Sequence, residues 1–417
     1  MEEEILPMID NVNNKIILLW HRFGPYHHAR FHAVAKLGKT IGVEFSGSDL
    51  TYAWDKVKSQ KRKDIVTLFP GRDSQTVLPD TICKKISSVL LAQGPSVVFI
   101  PGWSDKTALL ALKWCLNAGV PTVVMSPSQE KDAPRHWWKE WMKKCVVSLY
   151  SAGLAGGEPQ KRYLESLGIP KDRVLTGYNV IDNDHFAKGA REARSKASKH
   201  RKSLKLPEKY FICSTRFVPK KNLEMFIKAY SSYLRSDIKN HWSLVILGDG
   251  SQRPKMETLV NQLGLTDKVL MLGFKQYDEL PLYYGLAKAL VLPSTSEQWG
   301  LVVNEAMACG LPVLVSDRCG CVEDLVKNGE NGFVFDPFDP NSMTQALIKI
   351  TESEKLLKKM GSKSRKIISA WCPKTFARQV WTLAEIAVKT PTRKPSWFDH
   401  LILAYLSGKV MAGYQDQ

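Results

Sequence analysis

The stretch Pro293–Asp317, PSTSEQWGLVVNEAMACGLPVLVSD, holds the residues best placed to do chemistry. A β-rich run, ALVLP, leads into a polar loop, Gly300 opens an apolar helix ending near Gly310, and PVLVS begins another strand. This order puts Glu297 in a loop beyond a strand's carboxyl end and Glu305 within the following helix. Open α/β sheets bind ligands at that edge. The first backbone N–H groups of a helix lack an acceptor within it, so those of Gly300, Leu301 and Val302 would aim at an anion. Two carboxylates flanking such an N-terminus suit a ligand carrying both hydroxyls and phosphates. Two solvent-facing glutamates would give the same spacing, and the pattern alone leaves that alternative open.

Two other stretches could touch a ligand. The strand IILLW is followed by HRFGPYHHARFHAVAKLG, His21–Gly38, where Gly24 and Pro25 make a tight turn and a helix follows from about Tyr26. His27 and His28 fall at the helix start, where a lowered pKa lets an imidazole donate or accept a hydrogen bond near neutral pH. Further on, Trp137, Trp138 and Trp141 stand among Arg135, Lys139, Lys143 and Lys144. At helical spacing the tryptophans share one side with cations nearby, as in helices that lie on anionic lipid surfaces. Packing in the core or lining an aromatic acceptor pocket are the alternatives.

Short apolar runs alternate with helix-length amphipathic stretches through most of the 417 residues. In the first half the strand candidates are Lys15–Trp20, Gly42–Ser46, Ile65–Phe69, Ser96–Ile100, Thr122–Ser126 and Val146–Tyr150. In the second half they are Tyr210–Ser214, Ser243–Gly248, Lys268–Leu272, Ala289–Pro293 and Pro312–Ser316. Continuously apolar strands separated by helices indicate parallel sheets covered on both faces. The pattern occurs twice, so the fold class is α/β with two doubly wound, Rossmann-like units. Residues 187–205, rich in Lys and Arg and poor in large apolar side chains, read as a basic linker. The expected division is therefore an N-terminal domain over 1–186, the linker, and a C-terminal domain over 206–372.

The net charge of +18 predicts attraction to phosphate-bearing partners without choosing among nucleotides, nucleic acid and anionic membranes. Runs such as IILLW are far short of the ~20 residues a membrane span needs. The opening MEEEILPMID is acidic where a secretion signal is basic, so a cytoplasmic location is expected. The eight cysteines are scattered apart from Cys319 and Cys321, which have no second pair to complete a zinc site.

Four segments in register resemble glycosyltransferase family 4, which has the GT-B fold of two facing Rossmann-like domains. They are EQWGLVVNEAMACGLPV with Glu297 and Glu305, STRFVPKKN (Ser214–Asn222), VILGDG (Val245–Gly250) and DLVKNGENGFVFDP (Asp324–Pro337). The resemblance implies a retaining transferase that uses a nucleotide sugar, UDP-linked for preference, and needs neither cofactor nor metal. Arg216 and Lys221 match the pair on the donor diphosphate, Glu305 the residue on the ribose hydroxyls, and Glu297 the acid on the donor sugar. Gly248 falls in the strand-to-loop turn; Gly300 lets the backbone approach closely, and Leu301 and Val302 supply amides to phosphate. Gly24, His27 and His28 match the loop near donor phosphate and acceptor. The last helices, Pro373–Gln417, would cross back to complete the N-terminal domain. Asp182–Asp184, the one literal D-x-D, falls at the crossover between domains and reads as structural.

There is one departure from the family. Many members carry a histidine after the strand matching Thr122–Ser126, whereas this chain reads MSPSQEKDAPRHWWKEWMKK. Ser126, Gln129 or Asp132 would substitute there, or the acceptor side is built differently. The acceptor is lipid-linked, a glycan or a small molecule, with lipid-linked ones frequent in the family. A nucleic-acid-binding protein is the competing class, but the basic residues are spread and no zinc-finger or RNA-recognition signature is present, so no nucleic acid is expected. An epimerase or phosphorylase on the same fold, or an idle binding module, complete the alternatives.

Overall fold

The computed structural model describes residues 15–47 and 64–408, and the chain divides into two α/β units. One comprises the chain up to Tyr178 together with the segment from Pro373, and the other is Asn179–Cys372. The first unit runs β1 (Ile16–Trp20), α1 (Pro25–Ala35), β2 (Thr40–Ser46), β3 (Ile65–Phe69), α2 (Pro79–Gln93), β4 (Val97–Pro101), α3 (Lys106–Ala118), β5 (Thr122–Ser126), α4 (Trp137–Val147), β6 (Ala152–Ala155), α5 (Glu158–Ser166) and β7 (Val174–Thr176). The second opens with α6 (Asn183–Ser195), α7 (Ala197–Leu204), β8 (Tyr210–Ser214), α8 (Leu223–Leu234), β9 (Ser243–Leu247), α9 (Arg253–Gln262) and β10 (Val269–Met271). It continues through α10 (Leu280–Leu286), β11 (Ala289–Leu292), α11 (Leu301–Ala308), β12 (Val313–Ser316), α12 (Val322–Leu325), β13 (Gly332–Phe335), α13 (Pro340–Thr351) and α14 (Glu354–Ile368). Helices α15 (Pro373–Lys389) and α16 (Trp397–Gly408) then belong to the first unit.

Each unit holds one parallel sheet, with strand orders β3-β2-β1-β4-β5-β6-β7 and β10-β9-β8-β11-β12-β13. Both orders reverse once, between β1 and β4 and between β8 and β11, as doubly wound sheets do. All five residues of β1 are buried, which is why its sequence is a run rather than an alternation. Phe226, Tyr230 and Tyr233 of α8 pack with Phe211 and Trp242 into the core of the second unit. In the first unit, α15 lies against α1, and the Trp381 indole N–H donates to the Val34 carbonyl at 3.3 Å.

Three readings of the sequence are corrected. Val146–Tyr150 is not a strand: Val146 and Val147 are the buried last turn of α4, and β-branched residues there serve packing. The strand in that region is β6, AGLA, whose small residues carry almost no β signal; β7 and β13 also went unmarked. Residues 187–205 are not a linker but most of α6 and α7. The buried stripe of α6 is Phe186, Ala190 and Ala193, and α6 packs closely on α10, so small side chains do the work of large ones while Lys188 and Arg191 face solvent and Arg194 donates to the Cys309 carbonyl at 2.6 Å. The division between units accordingly falls at Tyr178 and Asn179. The N-terminal decapeptide and residues 409–417 lie outside the described residues.

A Cβ on Gly189 would lie 2.5 Å from the Pro281 Cβ, and one on Gly285 would lie 2.9 Å from the Ala190 backbone. Gly189→Leu is therefore expected to lower stability by about 1–3 kcal/mol, as overpacking does. Lys199→Ser, on the exposed side of α7, should stay within about 0.5 kcal/mol of the parent. Urea titration followed by tryptophan fluorescence compares the two.

Candidate active site

The reversal between β8 and β11 makes their carboxyl-end loops neighbours. Thr295, beyond β11, donates its N–H to the Lys220 carbonyl at 2.9 Å, and its hydroxyl to the same oxygen at 3.2 Å. This fastening brings the Lys221 ammonium onto Oε2 of Glu297 in a hydrogen-bonded ion pair. The side chains are only 12% and 21% exposed, so salt screens the pair less than it would a surface one. Lys221 ends a 3-10 turn, Pro219–Lys221, and Asn222 follows in the left-handed region at φ 57°. The Asn222 amide donates to the Pro337 carbonyl at 2.7 Å, which ties in the segment beyond β13. Arg216, half-buried, lies on the same loop between Ser214 and the fully buried Phe217.

The β9 loop braces this arrangement. Thr215 N–H donates to Leu247 O and Phe217 N–H to Asp249 O, each at 2.9 Å. Gly248, at φ +122°, permits the approach, because a Cβ there would collide with the Thr215 carbonyl oxygen. Gly300 is the second glycine of this kind. It caps α11 at φ +100°, and a Cβ on it would lie 2.9 Å from a Leu292 methyl. Leu301 and Val302 in the first turn are half-buried, while the remainder of α11 is buried.

Glu297 pairs with Cys319 as an isolated parallel bridge, and Gly320 N–H donates to its carbonyl at 2.9 Å. Trp299 turns inward: its indole N–H donates to Asn304 Oδ1 at 2.8 Å, and its ring lies 5.0 Å from Trp371. Asn304 donates in turn to the Asn179 carbonyl at 3.0 Å. Glu305 is 1% exposed and accepts the Tyr284 hydroxyl at 2.7 Å. Burial and the Glu305 charge push that hydroxyl well above its ordinary pKa, so it stays a donor. Burial likewise raises the Cys319 and Cys321 thiols well above the usual range, leaving them protonated and unreactive. Trp299 and Asn304 lie inside the segment around Glu297 and Glu305, but only the tertiary contacts show what they and Tyr284 hold in place.

In the first unit, Gly24 caps α1 and its N–H donates to His27 Nδ1 at 3.2 Å. That nitrogen is thus an acceptor, and burial, with Arg30 and His28 adding, holds the imidazole well below the ordinary histidine range. His28 is buried with its ring 5.5 Å from Phe23. Ser126 is 1% exposed, its Oγ accepting the Ser128 N–H at 3.1 Å. Asp132 accepts the Gln129 N–H at 2.8 Å, and Gln129 is buried. His28, Ser126 and Gln129 are buried in the first unit, and Asp132 holds the turn that starts at Gln129. The β1/β4 reversal instead gathers His21, 3.4 Å from Asp105 and 3.7 Å from Asp73, with Gln75 donating to Asp105 at 2.6 Å. These come from three separate loops, which no local spacing reveals. Asp182 accepts the His185 N–H at 3.0 Å as the cap of α6, the structural role read for the D-x-D. Trp137, Trp138 and Trp141 are exposed and not part of the core.

His27 gives a pH prediction. Its folded pKa lies below the unfolded value near 6.5, so below pH ~6.5 the unfolded chain binds more protons. The stability due to a neutral His27 is full above that value and is lost as pH falls through it. Urea midpoints between pH 5 and 8 should fall less steeply toward acid in His27→Gln than in the parent.

Residues 195–367 match the family described as Glycosyl transferases group 1. An uncharacterised glycosyltransferase of Methanocaldococcus jannaschii is 32% identical over 208 residues, 50% of this chain and 51% of that protein. The UDP-Gal:alpha-D-GlcNAc-diphosphoundecaprenol alpha-1,3-galactosyltransferase of Escherichia coli is 26% identical over 64% of this chain and 70% of its own length. For several curated relatives the match spans about half of their length. An Anabaena protein solved in complex with UDP and glucose superposes with a TM-score of 0.70 at 18% identity, over 89% of this chain and 99% of that one, a likeness of fold. With the paired loops at the β8/β11 reversal, these findings show the GT-B fold for the chain and a match to the Glycosyl transferases group 1 family over residues 195–367, less than half of its length.

Proposed function

We propose that the chain moves a sugar from a nucleoside-diphosphate donor to a hydroxyl acceptor with retention of anomeric configuration. The observation that carries this is the Lys221–Glu297 pair, held in adjacent loops of one sheet next to the first turn of α11. A cation, a carboxylate and helix-start amides in one place match a ligand with a diphosphate at one end and sugar hydroxyls at the other. Without donor, Glu297 neutralises Lys221. With donor, the diphosphate oxygens take over the ammonium and Glu297 turns to hydroxyls of the donor sugar. The Leu301 and Val302 amides approach the phosphates, the turn at Gly248 shapes the pocket floor, and Glu305 takes the ribose hydroxyls.

In the reaction the bond between the anomeric carbon and the β-phosphate oxygen breaks, and negative charge collects on the departing diphosphate. Arg216 and Lys221 stabilise that charge more in the transition state than before it, which is what lowers a barrier. The acceptor oxygen bonds to the same face of the anomeric carbon, and its proton passes to the departing phosphate oxygen. The two side-chain cations meet the diphosphate directly, so no metal enters the reading.

In this assignment the second unit takes the donor and the first, with α15 and α16, takes the acceptor. The Escherichia coli relative is named for UDP-Gal and the Anabaena structure contains UDP, which supports a UDP-linked donor. The same relative's acceptor is diphosphoundecaprenol-linked, which supports a lipid-linked acceptor and a peripheral contact with an anionic membrane through Trp137, Trp138 and Trp141. No helix among the described residues is long and apolar enough to cross a membrane.

Lys221→Ala should lower kcat by about 10²–10³, or ~3–4 kcal/mol, with a smaller effect on UDP affinity. Glu305→Gln should weaken UDP binding in calorimetry. Turnover of a nucleotide-sugar panel, read by mass spectrometry of released diphosphate, measures the first. An unchanged rate in the lysine variant contradicts the placement of the leaving group.

A further inference from the structure

Two helices of the first unit leave large apolar side chains in solvent on adjoining surfaces. On α4 these are the three tryptophans, with Trp137 82% exposed. Helix α16 packs on α3 and α4, burying Asp399, Leu403 and Ser407 along one stripe. Its other side turns Trp397, Phe398, Leu401 and Tyr405 outward, with Trp397 74% exposed. The Trp141 and Phe398 rings are 5.9 Å apart, so the two sets join into one surface. Packing within a unit needs one apolar stripe per helix; α16 has a second that stays exposed among the described residues.

The charges around this surface are one-sided. Glu140, the one acid of α4, is engaged by Arg135 at 2.9 Å, Lys143 at 2.8 Å and the Tyr163 hydroxyl at 2.8 Å. Asp399, the one acid of α16, is buried and takes both Arg393 bonds at 3.1 Å and the Ser396 hydroxyl at 2.8 Å. Lys139, Lys144 and Lys394 remain exposed, with the Lys139 ammonium 5.3 Å from the Trp138 ring centre. Aromatic side chains bordered by lysines, with both acids withdrawn, match anionic headgroups over acyl chains. A protein partner fits less well, because lysine is depleted from protein interfaces.

We propose that α4 and α16 together form a docking surface for an anionic bilayer, with α16 supplying the larger apolar share. The proposal rests on the lipid-linked acceptor reading and extends it to Trp397, Phe398, Leu401 and Tyr405. Anchored this way, the first unit meets acceptors in the plane of the membrane while the donor arrives from water.

The test uses the full chain with vesicles of phosphatidylcholine alone or mixed with phosphatidylglycerol. Sedimentation with the anionic vesicles only, weakened by salt, is expected. Trp397→Ser with Phe398→Ser should lower partitioning roughly 10-fold or more, as should Trp137→Ser with Trp141→Ser, with UDP affinity unchanged as evidence of folding. Wild-type partitioning in the α16 variant overturns the proposal, as does absence of sedimentation with either vesicle. A wild-type dimer that the α16 variant makes monomeric, read by light scattering, also overturns it by showing that a second copy covers the surface. Vesicle binding without any UDP binding supports the surface and removes the donor reading instead.

Discussion

One ion pair, between Lys221 and Glu297 across 76 residues of sequence, fastens together the loops at the middle of the second unit's sheet. It exists because a parallel sheet that winds both ways from its middle places two non-consecutive strands side by side. Only at β8 and β11 do loops from the two windings leave the sheet together. The ammonium and the carboxylate shelter each other from water. Folding in the absence of ligand thus need not leave an isolated charge in a poorly solvated place, where it would be costly.

The supports of this pair are mostly backbone and mostly rigid. Gly248 lets the β9 loop lie against Thr215, and Gly300 turns the chain into α11. Both are positions where a Cβ would force the loops apart. Beneath them, Tyr284 holds Glu305 and Asn304 holds the Trp299 indole, so the helix bearing the site is fixed by satisfied buried polar groups. The Asn304 amide donates to the Asn179 carbonyl and the Trp299 ring lies on Trp371, so this helix and its preceding loop touch residues near both ends of the second unit.

The excess of positive charge is spread over surfaces with different meanings. On α6 most of the basic residues lie on the solvated side of a helix whose Ala and Gly positions pack tightly on α10, and on α7 they cover a helix with no buried residue. Around α4 and α16 they border exposed aromatic rings. The same composition thus lies beside tightly packed small residues in one place and beside exposed rings in the other, and the difference is what the neighbouring side chains leave uncovered.

Sequence alone determined the α/β class, the two windings and the segment that matches a family model. Period, apolar runs and the spacing of Glu297 and Glu305 are local properties, and local physics writes them into consecutive residues. It could not mark β6 or α6, because Ala and Gly pack through closeness of backbone rather than through bulk. The tertiary structure decided which candidates reach a surface: it buried His28, Ser126 and Gln129, turned Asp132 onto its own loop, and exposed the tryptophans of α4. It also assembled groups from distant loops, such as His21 with Asp73 and Asp105, and joined Phe398 to Trp141. Exposure and long-range proximity are set by how helices and strands pack, and no window of the chain contains that information.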